Sequence, residues 1–194
     1  MLVDNGITRK VKPLNQQGRA FLEDLSLPAP WDGLLSAYLS VVDTLTVEMA
    51  ELDERIEDRA DQLRETQLLR TIPGIAAYSS LVIYAELGEV DRFDDAKQVV
   101  RYLGLNPVVR ESGDSGFIGS ISKRGPGRVR WVLVQAVHVA VHTVEDPYLT
   151  RFYDRIRRRK NKEKAVVATA RKIVVSIYHM LDRNEVYNPP GVTA

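Results

Sequence analysis

The stretch from Leu34 to Leu69 contains no glycine or proline, and it constrains the fold more than any other part of the sequence. Its apolar residues recur at alternating intervals of three and four, at Leu35, Tyr38, Val42, Leu45, Met49, Leu52 and Ile56, with a weaker continuation at Ala60 and Leu63. This is the heptad spacing of a coiled coil. The pattern predicts a helix roughly 50 Å long whose apolar seam pairs with a second copy of the chain. The alternative is a long helix of an ordinary bundle.

Charge is distributed unevenly along the 194 residues. The segment from Arg101 to Arg183 holds seventeen Lys and Arg against seven Asp and Glu, whereas the rest of the chain holds ten against nineteen. A basic half joined to an acidic half indicates a polyanionic partner for the basic half. The run RRRKNKEK from Arg157 to Lys164 is predicted to be a basic connector, in which Arg157, Arg158 and Arg159 bind nucleic acid.

Several function classes are excluded by composition. The chain has no cysteine, so a disulfide framework, a cysteine-ligated zinc site and a thiol nucleophile are all ruled out. The first twenty residues lack the apolar core of a signal peptide, and no run of about 18 apolar residues indicates a membrane span. We therefore predict a cytoplasmic protein without a membrane partner.

The remaining pattern is helical almost throughout, and the fold class predicted is all-α. Helices are expected at about 76–87, 94–103 with Asp94 as its N-cap, 128–143, 148–158 and 165–181. The domain organisation expected is a connector over 1–33 with a short helix near Gln16–Leu25, a coiled-coil helix over 34–67, a small helical domain over 68–187 and a flexible tail over 188–194.

The segment TIPGI, residues 71–75, predicts a turn between two short helices. Such a helix-hairpin-helix can direct backbone N–H groups at a phosphate, and glycine allows the closest approach. Gly74 and Ile75 are thus candidate DNA-binding residues. A Pro-Gly turn chosen for steric reasons alone is an equally good interpretation.

A serine- and glycine-rich segment, ESGDSGFIGSIS, precedes four cations at Lys123, Arg124, Arg128 and Arg130. Serine attacks acyl carbon or phosphorus when it is activated, and neighbouring cations favour phosphorus because they hold its oxygens. The pattern is typical either of a DNA strand-transfer site in a mobile loop or of a flexible basic loop that grips phosphate without chemistry.

Other chemistry has weaker support. His138 and His142 have ligand spacing, but no third ligand follows, so no metal site is predicted in this chain. The letters GDSG occur around protease serines, yet a protease would also need a histidine and an aspartate brought together on a helical scaffold.

The ordered set of motifs TIPGI, FDDAKQVVRYLGLNP, ESG, ISKRG and FYDRIRRRKNKEKA resembles the C-terminal domain of the Piv/MooV-like transposases of the IS110/IS116/IS902 type. The resemblance covers residues 68–187. Members of that family join, invert or move DNA segments. They use an N-terminal RuvC-like domain with four metal-binding acidic residues, a serine of the C-terminal domain and, in many members, a structured guide RNA.

The resemblance implies that Ser112 is the nucleophile, with Ser115 a close neighbour. Gly113 and Gly116 would supply backbone freedom, and Lys123, Arg124 and Arg128 would hold the phosphate. Residues 1–194 hold no segment that resembles the family's RuvC-like domain, so the divalent metal, Mg²⁺, is expected in a domain outside these residues. The alternative function is a non-catalytic nucleic-acid-binding and oligomerisation fragment that assembles with or regulates a full-length transposase.

Overall fold

The computed structural model describes residues 2–7, 15–112, 115–121 and 124–190, and for Asp4, 107–112 and 115–121 it describes the backbone alone. These residues form two compact units, 1–54 and 55–194. The boundary lies within a long helix, so residues 55–61 of that helix belong to the second unit.

The first unit contains a 3-10 turn, Val3–Asn5, and two helices, α1 (Gln16–Glu23) and α2 (Trp31–Asp61). The predicted short helix near residue 16 is therefore confirmed. Asn15 caps α1 because its side chain accepts a hydrogen bond from the N–H of Gly18, at 2.7 Å. A small core packs α1 and the segment that follows it against the start of α2. It consists of Leu22, Leu27 and Leu35.

Helix α2 ends earlier than the sequence predicts. The expected coiled-coil helix continues to residue 67, whereas α2 stops at Asp61 and a separate short helix, α3, spans Arg64–Leu69. Leu63 between them is extended, and the hydroxyl of Thr66 donates to the carbonyl oxygen of Ala60 in place of a continuing backbone ladder. The change of direction allows Leu68 and Leu69 to enter the core of the second unit, where both are fully buried.

Most of the predicted seam of α2 is exposed, although Val42 and Ile56 are half-buried and Ala60 is buried. Tyr38, Leu45, Met49 and Leu52 are between 52% and 62% exposed, although Leu35 is buried in the small core. By length and composition alone, α2 is the one described helix that could cross a membrane. The sequence prediction used a different criterion, an uninterrupted apolar run, which α2 does not contain. Asp43 of α2 forms a 2.6 Å ion pair with Arg19 of α1, which is an arrangement suited to water.

The second unit is helical apart from one β-hairpin. Its further elements are α4 (Ala77–Leu87), a 3-10 turn (Val90–Arg92), α5 (Ala96–Tyr102), β1 (Pro107–Ser112), β2 (Ser115–Ile121), α6 (Gly127–His142), α7 (Pro147–Arg159) and α8 (Lys162–Arg183). The prediction of a helical fold is confirmed, and the five helices expected after residue 75 all form.

Helix α8 lies at the centre of this unit and packs against α3, α5, α6 and α7. It buries Ala170, Ile173, Val174 and Ile177 at helical spacing against the buried stripe of α6, which includes Leu133, Ala136, Val137 and Ala140. These are the stripes that the apolar periodicity indicates. The small alanines let the two helices approach closely.

Two helix starts differ from the prediction because of capping side chains. Asp95, not Asp94, caps α5 by accepting from the N–H of Gln98, while the carboxylate of Asp94 accepts from the side chain of Gln98. Asn161 caps α8 by accepting from the N–H of Lys164, so α8 begins three residues before the predicted Ala165. The basic run that was predicted to be a connector is therefore mostly helical.

The serine-rich segment forms an antiparallel hairpin rather than the predicted mobile loop. Pro107 pairs with Ile121 at its base, and Ser112 pairs with Ser115 at the far end. β2 carries one extra residue between Ile118 and Ile121, which is a bulge. The prediction failed because β-branched and aromatic residues flank both sides of Gly113-Asp114, and that composition favours paired strands.

Candidate nucleic-acid interface

Two glycines hold the base of the hairpin against the helical body. Gly104 has φ +69°, and a Cβ built on it would lie 2.3 Å from the carbonyl oxygen of Arg124. Gly125 has φ +133°, and a Cβ there would lie 2.4 Å from the carbonyl oxygen of Tyr102. The chain entering β1 and the chain leaving β2 therefore cross with their backbones in contact, which only glycine permits at these positions.

This crossing brings three of the candidate cations together at the start of α6. Arg124 and Arg128 are exposed, and Arg130 is half-buried. Arg128 donates to the hydroxyl of Tyr78 at 3.0 Å, and Arg130 donates to the carbonyl oxygen of Leu103 at 3.2 Å. Each guanidinium has five N–H donors, so Arg128 keeps free donors for a phosphate, whereas Arg130 also braces α6 against the end of α5.

Ser112 lies at the end of β1 that is farther from the base of the hairpin. It is five residues along β1 from Pro107 at the hairpin base, which corresponds to about 17 Å at roughly 3.4 Å per residue. That Arg124 and Arg128 hold the phosphate that Ser112 attacks stays a prediction. Lys123 and Gly113, the other candidates in this segment, lie outside the described residues.

Gly74 and Ile75 face the interior. Gly74 has φ +87°, and a Cβ on it would lie 2.4 Å from the carbonyl oxygen of Ala136 in α6. Ile75 is 5% exposed, and its N–H donates to the carbonyl oxygen of Ile72. These contacts favour the steric interpretation of the Pro-Gly turn, in which glycine lets α3 and α4 pack against α6.

Replacing Gly74 with alanine is expected to lower the free energy of unfolding by about 2–4 kcal/mol, because the new Cβ meets backbone that cannot move away easily. Urea denaturation followed by circular dichroism measures this change. Gly33→Ala is the matched control, since nothing lies within 4 Å of a Cβ at that helical position and helix propensity favours alanine by up to about 1 kcal/mol. Equal midpoints for the two variants would contradict the packing role.

The second cationic site is the corner between α7 and α8. Only Lys160 and Asn161 separate the two helices, so the cations at the end of α7 and the start of α8 are close in sequence and all exposed. We call this set the basic corner: Arg157, Arg158, Arg159, Lys160, Lys162 and Lys164. Sequence analysis named its three arginines as candidates and left out its three lysines, although the same basic run contains them.

The basic corner has few acidic neighbours. Among the described side chains, its one ion pair joins Arg157 to Asp154 at 3.6 Å. Asp146 caps the other end of α7 by accepting from the N–H of Leu149, at 2.7 Å. The arginines at the C-terminal end of α7 interact favourably with the negative end of the helix dipole. Their guanidinium groups are exposed to solvent and can therefore contact an anionic partner. The corner is therefore suited to binding a polyanion.

The described residues contain no group of three His, Cys, Asp or Glu side chains arranged to hold a metal ion. His138 and His142 lie on α6 with their ring centroids 5.9 Å apart, and His142 also makes an edge contact with the ring of Tyr153. The histidines thus participate in aromatic packing.

Comparison with known proteins adds the family relationship. Residues 66–154 match the family model described as Transposase IS116/IS110/IS902 family. The chain is 27% identical over 180 residues to the transposase for insertion sequence element IS1111A of Coxiella burnetii. The aligned region covers 87% of the chain and 50% of that protein.

Two further relatives are a probable transposase and a protein of an insertion element. A probable family 20 transposase of Pseudomonas aeruginosa is 27% identical over 169 residues, covering 86% of the chain and 50% of that protein. The insertion element IS900 uncharacterized 42 kDa protein of Mycobacterium paratuberculosis is 31% identical over 154 residues, covering 77% and 38%. The chain spans about half the length of the first two relatives. These matches relate it to the IS116/IS110/IS902 family of transposases, whose family model covers residues 66–154.

Proposed function

We propose that this chain is the DNA-binding and strand-joining half of an insertion-sequence transposase. The observation that carries the proposal is the match of residues 66–154 to the transposase family model, a segment that includes both the hairpin and the arginines at its base. The net positive charge of residues 101–183 supports it, because every strand-joining protein must first neutralise the phosphates that it brings together.

The basic corner and the hairpin base have separate tasks in this proposal. The corner binds the DNA backbone, because its clustered cations are suited to neutralising phosphates. Arg124 and Arg128 bind a second stretch of backbone. Ser112, about 17 Å along the hairpin from its base, meets the phosphate that it attacks.

In the chemical step, the hydroxyl oxygen of Ser112 bonds to phosphorus while the bond from phosphorus to a deoxyribose oxygen breaks. The serine proton leaves to a base, and the departing oxygen gains a proton. The family resemblance motivates this role. The metal that stabilises the charge, Mg²⁺, belongs to a RuvC-like domain, which this proposal requires from the rest of the recombinase.

A guide RNA, a second copy of this chain and a cytoplasmic location complete the proposal. The alternative function, a non-catalytic module that assembles with a full-length transposase, has one observation of its own. The exposed seam of α2 is suited to pairing with the same helix of another copy, and that pairing needs no chemistry from Ser112.

Reversing the charge of the three arginines, by Arg157→Glu, Arg158→Glu and Arg159→Glu together, tests the DNA-binding part. We expect duplex affinity at low salt to fall about 100-fold for every sequence and the salt slope to decrease by roughly 3, since each lost phosphate contact removes about 0.9 from it. Fluorescence anisotropy over a salt series measures both quantities.

The matched control reverses Arg55, Arg59 and Arg183, which are exposed cations of the same unit outside the basic corner. It changes the net charge by the same amount, so a loss specific to the corner separates local contact from overall charge. Equal affinities of the corner variant and the unaltered protein at low salt would refute the proposal.

A further inference from the structure

A cavity of about 470 Å³ opens between α5, α7 and α8, beside the residue that precedes β1. Its floor is apolar: Val100 is buried, Phe152 and Ala168 are half-buried, and Val175 lies at the edge. We call this cavity the Phe152 pocket. It is within the range of small-ligand sites, large enough for one nucleotide and too small for a duplex.

The walls of the Phe152 pocket are cationic. Lys97 and Arg101 lie four residues apart on α5, and Arg171 and Lys172 lie on α8. The lining contains no acidic residue, and none of the four cations forms an ion pair with any side chain that the structure describes. Four unpaired cations around one cavity favour a ligand with more than one anionic oxygen.

Aromatic rings hold one of these cations in position. The ammonium nitrogen of Lys172 lies 4.6 Å from the ring centroid of Tyr148 and 5.0 Å from that of Phe152. The guanidinium carbon of Arg155 lies 5.1 Å from the Phe152 centroid. Because the rings restrict Lys172 before a ligand arrives, less side-chain entropy is lost when it binds.

We propose that the Phe152 pocket binds one nucleotide of a single-stranded nucleic acid, with its phosphate on the four cations and its sugar and base on the apolar floor. The proposal rests on the proposed function, in that the chain acts on nucleic acid, and it adds a strand-specific site to the backbone contacts. A base within a duplex has both faces covered by its neighbours, so only an unpaired base reaches a recessed apolar floor.

The test compares Arg101→Gln with Arg171→Gln, made together, against Arg55→Gln with Arg183→Gln. Both pairs remove two positive charges from exposed or half-exposed positions of the same unit, and only the first pair lines the pocket. Anisotropy is measured with fluorescein-labelled 12-mers: uridine RNA, thymidine DNA and a blunt DNA duplex. We expect the pocket variant to lose about 10-fold or more on single strands and the control about two-fold.

Loss on RNA alone identifies an RNA strand as the ligand, and equal loss on RNA and DNA identifies either strand; both results support the pocket. Equal behaviour of the pocket variant and the control would overturn it. So would a loss on the duplex as large as that on single strands. Intact duplex binding in the pocket variant, together with its loss in the basic-corner variant, would leave the proposed function standing whatever the single-strand result.

A second measurement does not depend on mutant stability. The unaltered protein is irradiated with a 12-mer that carries 4-thiouridine, and cross-linked peptides are identified by mass spectrometry. We expect adducts on the peptides of α5, α7 and α8 that contribute to the pocket. Adducts confined to other peptides would refute the assignment.

Discussion

Replacing Ser112 with alanine is expected to abolish a covalent protein–DNA adduct while DNA affinity stays within about three-fold. The hydroxyl is the atom that bonds to phosphorus, so its removal leaves no nucleophile, whereas the proposed backbone contacts lie at the hairpin base and the basic corner. The position of Ser112 suits this division of tasks, because it is at the end of a strand remote from the arginines. The two strands contact each other far more than they contact the helices that the structure describes. A two-stranded hairpin is only marginally stable alone.

The measurement requires the complete reaction. A RuvC-like domain with Mg²⁺ is supplied in cis or in trans, and a nicked suicide substrate traps the adduct for denaturing electrophoresis. Ser115→Ala is the matched control because Ser115 is the cross-strand partner of Ser112. An adduct that survives in Ser112→Ala and disappears in Ser115→Ala assigns the nucleophile to Ser115. An adduct of unchanged yield in both variants would show that neither serine is the nucleophile and that the hairpin only grips phosphate.

Helix positions in the second unit follow from the sequence because local and tertiary signals agree there. The apolar spacing of α6 and α8 identifies the buried stripes correctly, including Leu133 and Ile173. After α3 the errors are confined to helix ends, where one capping side chain decides. Asn161 is the N-cap, so α8 begins at the next residue. Apolar periodicity cannot locate this start, because the first three residues of the helix are polar.

The hairpin was predictable and was missed. Two runs with β-branched or aromatic residues flank the pair Gly113-Asp114, which is the spacing of a two-residue hairpin connection. Once the strand is recognised, Ser112 is expected about 17 Å along it from Pro107.

The Phe152 pocket could not be predicted from the sequence. Its cations come from α5 and α8, which are more than sixty residues apart in the sequence. Nothing in the sequence of either helix indicates that the two helices pack together. Lys97 and Arg101 alone indicate a solvated helix face. Only the packing of α5 and α7 against α8 turns three ordinary helix faces into one cavity.

Leu45→Asp is expected to convert a dimer of this chain to monomer, with a rise in Kd of about 1,000-fold or more. Leu45 lies in the middle of the heptad seam and is 57% exposed in the single chain. A coiled coil would bury it in both copies, and each buried leucine contributes about 1.5–3 kcal/mol. Two lost leucines therefore cost about 3–6 kcal/mol, and burying two aspartates adds to that cost.

Val47→Asp is the control that distinguishes pairing through the heptad seam from non-specific hydrophobic association. Val47 is 58% exposed on the same helix, but it is two residues from Leu45 and so lies on the outer face of a heptad. Sedimentation equilibrium or multi-angle light scattering at tens of micromolar should show a dimer for the unaltered chain and for Val47→Asp, and a monomer for Leu45→Asp. A monomer in all three would rule out pairing through α2. Equal dissociation by both aspartates would instead indicate association through the whole apolar surface, because only a heptad seam discriminates between two equally exposed side chains two residues apart.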